Sequence, residues 1–133
     1  MAYWLLKSEP FKYSWDQMVK DGRTHWDGVR NHQAAANLKA MQVGDRAFFY
    51  HSNEGKEIVG VVEIVRTAYP DPSDEAGRFV IVDVAPICPV KRPITLAEMK
   101  ADPSLADLAL IRQSRLSVVP VSDAHWQIIA EQA

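Results

Sequence analysis

The chain has 133 residues, 47% of them hydrophobic, enough for one well-buried core without disulfides or a structural metal. Fifteen basic and 17 acidic side chains leave a formal charge of −2, which excludes the dense basic surface that supplies non-specific affinity for a phosphate backbone. The single cysteine, Cys88, excludes an internal disulfide and fits a reducing compartment.

The first apolar run, Tyr3 to Leu6, is too short for a signal peptide or a membrane helix, and its basic residue Lys7 follows it. The expectation is a single domain over residues 1–133, monomeric and cytoplasmic, with no membrane partner. Tyr3 to Lys7 reads as a short strand closed by Pro10. Ser14-Trp15-Asp16-Gln17 fits a capping box opening a brief helix that ends near Gly22. Asn31 caps a second helix, Asn31 to Met41, terminated at Gly44, with Ala34, Leu38 and Met41 as its apolar face.

Three strands follow: Asp45 to Ser52, Ile58 to Arg66, and Arg78 to Pro86. In the first, Ala47, Phe49 and His51 share one face, and Phe48 and Tyr50 the other. Asn53 to Glu57 makes a hairpin loop, and Tyr69 to Gly77 a surface loop. Gly60 inside a β-branched strand predicts a bulge or a close backbone approach. Thr95-Leu96-Ala97-Glu98 is a second capping box, its helix ending before Pro103. Leu116 to Val121 is a late strand, and Ser122 caps a closing helix, Asp123 to Glu131. This order predicts an α+β fold, a curved or closed antiparallel sheet flanked by short helices.

Four stretches can carry chemistry. In Trp26-Asp27-Gly28-Val29-Arg30-Asn31 an indole stands at a loop–helix junction, where amide donors favour an acceptor-rich ligand. It serves either as a stacking wall for a planar base or as packing under the loop. Gln33 and Asn37, four apart, share a helix face with Arg30 one turn earlier; amides suit base edges and sugar oxygens, though a solvated face explains them too. Tyr50-His51-Ser52 ends an aromatic strand, so His51 is either a hydrogen-bonded core histidine or a polar group facing a pocket. Arg112-Gln113-Ser114-Arg115 offers two arginines three apart, for phosphate or for surface ion pairs.

No Gly-rich phosphate loop, nucleophile elbow or zinc helix is present. The four histidines lack metal spacing, so neither a metal nor another cofactor is expected. A Ser8–His51 or Cys88–His51 catalytic pair has no local signature to support it.

Together, Trp4 to Pro10, Trp26 to Ala34, Phe48 to Ser52 and Arg112 to Ser117 resemble the motifs of the EVE domain family, in family order across nearly the whole chain. The resemblance implies a PUA-like pseudo-barrel and kinship with YTH domains, which seat a methylated adenine in an aromatic cage. It implies that Lys7, Ser8 and Trp26 help form a pocket, and that Glu9 stands where YTH domains place an asparagine reading the base edge. A carboxylate accepts hydrogen bonds, as the amino group of cytosine would offer. Phe79 is the aromatic nearest the position of the second YTH wall, and Arg112 resembles a phosphate-holding arginine.

The expectation is a non-catalytic reader of DNA or RNA carrying a modified base, a modified cytosine first, flipped out or single-stranded. Trp26 would stack on the base, with Phe79 the aromatic nearest a second wall; Ser8, Glu9 and His51, with Ser52 beside it, would meet its edge. Lys7 would help form the pocket; Arg30, Asn31, Gln33 and Asn37, with Asp27, would line the rim or hold sugar and phosphate, and Arg112, Ser114 and Arg115 would lie outside. A PUA-like RNA-binding accessory domain and a small hydrolase built on His51 are the alternatives. Trp26→Ala is expected to abolish ligand binding while leaving the thermal midpoint largely intact, which a melt of the variant checks.

Overall fold

A computed structural model describes residues 2–27, 29–53 and 55–133; Gly28 and Glu54, both within stretches singled out above, lie outside the described residues. β1 (Tyr3–Ser8) buries Trp4, Leu5 and Leu6 in succession, so the strand is covered on both faces. It pairs in parallel with β3 (Arg46–His51) and antiparallel with β6 (Val118–Val121). β4 (Glu57–Pro70) pairs with β3 and, in a long hairpin, with β5 (Val80–Thr95). β2 (Thr24–Trp26) adds to the far side of β5 across Val82 to Val84.

The sheet order is β2-β5-β4-β3-β1-β6, with β2 and β6 at its open edges. The α+β class with a curved sheet and short helices holds, the sheet curling without closing. One difference is that the β1–β3 pair is parallel. The segment between β1 and β3 is long enough to cross back over the sheet, which is what a parallel pair requires. Register shifts along β4–β5 supply the curl.

β5 runs on past Pro86 through Pro89 and Pro93 to Thr95, further than the composition predicts. Among the described residues β2 pairs only as far as Val84, so beyond it the second edge of β5 has no strand to satisfy and a missing N–H costs little.

Helix ends follow their capping residues. Ser14 Oγ accepts from Gln17 N at 3.1 Å and opens α1 (Trp15–Asp21), which stops at Gly22 in the left-handed region, φ 72°. The Gln17 amide does not close a capping box; it donates to Asp21 Oδ1 at 2.8 Å. Asn31 Oδ1 accepts from Ala34 N at 2.9 Å and opens α2 (His32–Ala40). The Thr95–Glu98 box opens α3 (Leu96–Ala101). A 3-10 turn (Pro103–Leu105), α4 (Ala109–Arg112) and α5 (Asp123–Gln132) complete the chain.

β3 divides the core between its two faces. Phe48 stacks on Trp126 of α5 at 3.8 Å between ring centroids, and Trp126 stacks in turn on Tyr3. On the other face Phe49 meets Trp15 at 5.5 Å and Trp26 at 5.7 Å, both edge to face.

Gly60 combines both features expected of it. The β4 register shifts around it, and a Cβ there would stand 2.4 Å from Trp15 Cζ3. The indole therefore occupies the space a side chain would take. Gly60→Ala is expected to displace Trp15 and to cost about 1–3 kcal/mol of unfolding free energy in a urea titration; an unchanged midpoint would show that the indole yields freely.

Candidate nucleic-acid interface

At the C-terminal end of β1 the backbone turns through Glu9 to Tyr13. Lys12 N and Tyr13 N both donate to Glu9 O at 2.9 Å, and Ser8 Oγ donates to Tyr13 O at 2.5 Å. This turn and β2 bound a cavity of about 470 Å³, within the usual range for a small-ligand site. Lys7, Ser8, Glu9, Lys12 and Tyr13 line one side, and Thr24, His25, Trp26 and Asp27 the other.

Trp26 reaches this cavity but is mostly core, 9% exposed, braced by Phe49 below and by the Tyr13 ring, nearly perpendicular to it at 6.5 Å. The indole therefore packs as core under the loop and also borders the cavity. Its burial overturns the expectation that Trp26→Ala leaves stability intact: the truncation should cost about 3–5 kcal/mol, seen as a fall in the denaturation midpoint.

Glu9 carries the chemistry of the cavity. Asn53 Nδ2 donates to its Oε1 at 2.9 Å. Its Oε2 is shut from water and makes no hydrogen bond, although the Lys12 ammonium lies 3.2 Å away in an ion pair of poor alignment. Lys12 itself is 72% exposed, so a flexible side chain covers an acceptor that is otherwise unused. Ser8, its proton given to Tyr13 O, presents lone pairs only.

Lys7 joins this cavity to a second one of about 290 Å³. Its Nζ donates to Ser114 O at 2.8 Å, and burial pulls its pKa below the ordinary lysine value. Asn31, Gln33, Gln113, Ser114, Arg115 and Leu116 line the second cavity, with Gln33 Nε2 donating to Gln113 Oε1 at 2.7 Å. Lys7, Ser8, Glu9, Trp26 and Asp27 thus gather at the first cavity, and Asn31, Gln33, Ser114 and Arg115 at the second.

Other expected residues stand elsewhere. His51 lines neither cavity; its Nε2 accepts from Trp15 N at 3.1 Å, so this half-buried histidine joins β3 to α1. Ser52 donates its backbone N–H to Ser8 O and stays behind the turn. Asn37 Nδ2 donates to Val118 O at 2.7 Å, tying α2 to β6. Arg30 is held by Asp71 Oδ2 and Ser73 Oγ, both at 3.0 Å, and lies over the Phe79 ring. Phe79 stacks on His32 and lines neither cavity. Arg112 pairs with exposed Asp107 at 2.8 Å and lines neither cavity.

Lys12, Tyr13, Thr24 and His25 were not anticipated. Thr24-His25-Trp26 is a run of β-prone residues, but three residues flanked by Arg23 and Asp27 give too short a pattern to read. Among the described residues no cluster of three or more metal-ligating side chains occurs, and no helix is long and apolar enough to cross a membrane.

A mixed α+β domain with an open six-stranded sheet and a cavity at the end of its first strand defines the structural class. The EVE domain family model matches residues 2–132, so the chain belongs to that family. It is 33% identical to human thymocyte nuclear protein 1 over 96% of this chain and 72% of that protein. A solution structure from Rhodopseudomonas palustris is similar at 56% identity, with a TM-score of 0.94 over 98% of this chain and 92% of that one. The crystal structure of human THYN1 protein in complex with 5-methylcytosine-containing DNA is similar at 33% identity, with a TM-score of 0.92, covering 99% and 97%.

The His51 acceptor has a pH consequence. Burial lowers its pKa below the ordinary 6.5, against the opposing charges of Glu57 and Asp16. The neutral ring is the one that accepts from Trp15, so its stabilisation is full above pH 6.5 and is lost as pH falls through the folded value. The urea midpoint is expected to drop between pH 7.5 and 5.5, and to drop less in His51→Gln, whose amide oxygen still accepts. Equal drops in the two proteins would assign the acid sensitivity elsewhere.

Proposed function

We propose that this chain is a non-catalytic nucleic-acid-binding module that seats a modified cytosine, flipped from a duplex or single-stranded, in the cavity beside Trp26. The observation that carries the reading is the pairing, in one cavity large enough for a base, of an indole with a carboxylate whose Oε2 lacks a hydrogen bond. The cytosine amino group donates to Glu9 Oε2 as Lys12 swings away into solvent. A charge-assisted hydrogen bond replaces a misaligned ion pair. Trp26 and Tyr13 form a right-angled aromatic corner against which the ring packs.

Three further features support the reading. The family relative solved with 5-methylcytosine-containing DNA is of the same fold over nearly the full chain. Lys7, Gln33, Ser114 and Arg115 continue from the cavity with groups suited to phosphate and sugar. A hydrolase built on His51 loses its general base, since that nitrogen is occupied by Trp15 N–H.

Anisotropy titrations of the full chain against oligonucleotides carrying cytosine, 5-substituted cytosines or methylated adenine test the proposal. The expected order is 5-substituted cytosine bound most tightly. Glu9→Gln, at a half-exposed side chain that leaves the core untouched, should weaken that binding about tenfold or more. Equal affinity for modified and unmodified strands would instead indicate an RNA- or DNA-binding domain that ignores modification.

A further inference from the structure

Phe11 is 68% exposed, the most exposed of the large hydrophobic side chains among the described residues. It stands at the tip of the Glu9–Tyr13 turn, where Glu9, Lys12 and Tyr13 line the cavity. The turn is pinned by hydrogen bonds from Lys12 N and Tyr13 N to Glu9 O and from Ser8 Oγ to Tyr13 O. Lys12 Nζ lies 3.2 Å from Glu9 Oε2 and 5.9 Å from the Phe11 ring centroid, so one cation spans the distance from the cavity to the ring. A lone exposed ring is common on protein surfaces; this one is set apart by its place on a pinned turn beside the cavity.

We infer that Phe11 enters the base stack of a duplex and fills the space vacated by the nucleotide that turns into the cavity. This rests on the reading of the cavity as a base site and deepens it, naming duplex nucleic acid as the partner. Flipping a base breaks two stacking contacts and leaves a gap between its neighbours. A flat apolar wedge restores contact area to both and keeps the flipped base from returning. Stacking of one base on an aromatic side chain is of the size needed to hold such a state. Lys12, released from Glu9 by the incoming amino group, stands beside the wedge and can follow the strand's phosphates.

The test compares a duplex containing one central 5-methylcytosine with the same modified strand alone. For the full chain, Phe11→Ala should weaken duplex binding about tenfold or more and change single-strand binding less than about twofold. Phe11→Trp should retain duplex affinity. A 2-aminopurine beside the 5-methylcytosine should brighten in the wild-type duplex complex and stay quenched with Phe11→Ala. Equal losses on both ligands, or no loss on either, would overturn the wedge, as would a wild-type protein that binds the single strand only. A wild-type protein that binds neither would overturn the cavity reading itself, so the two failures are separable. Because the ring is mostly exposed, the thermal midpoint of Phe11→Ala should stay close to that of the wild type.

Discussion

The parallel pairing of β1 with β3 is the constraint on which the rest of this structure depends. Parallel strands end on the same side of a sheet, so Lys7-Ser8-Glu9 and His51-Ser52-Asn53 leave it together. Ser52 N then reaches Ser8 O, and Asn53 Nδ2 reaches Glu9 Oε1. Had the pair been antiparallel, the Glu9 turn would have opened at the opposite end from the β3–β4 hairpin. The carboxylate would then have lacked its second support.

That end of the sheet is held by aromatic packing from below. Phe49 braces Trp26 and Trp15 at once, and Gly60 makes room for the second indole by having no side chain. His51 then locks α1, which begins with Trp15, onto β3. The cavity floor is therefore core, and its walls are a short turn and a three-residue edge strand. Rigid support beneath a few polar groups is the arrangement that best preserves ligand geometry.

Much of this was readable from residue order, because the signals were local. The capping residues Ser14, Asn31, Thr95 and Ser122 all sit where helices begin, and Gly60 marks both an irregular register and a crowded approach. The strand direction was not readable, since β1 buries three residues in a row and gives no alternation to count. β2 forms through β5 rather than through its own pattern, so Thr24 and His25 carried no mark. The roles of His51, Asn37 and Arg30 depended on partners 36, 81 and 41 residues away, which no spacing rule reveals. Trp26 was ambiguous in the sequence because it is ambiguous in the molecule: one ring closes the core and borders the cavity.

The hydroxyl of Ser8 has a last consequence. Its hydrogen points at Tyr13 O, and the neighbouring Glu9 carboxylate has none to give. At these two residues a visiting heterocycle meets acceptors, with the Lys7 and Lys12 ammoniums on either side. Hydrolytic deamination turns the amino group of a cytosine into a carbonyl, as in uracil or thymine, and that oxygen would face those acceptors electron pair to electron pair. On the proposed reading, such a wall would favour a base edge that offers an amino group over one that offers a carbonyl.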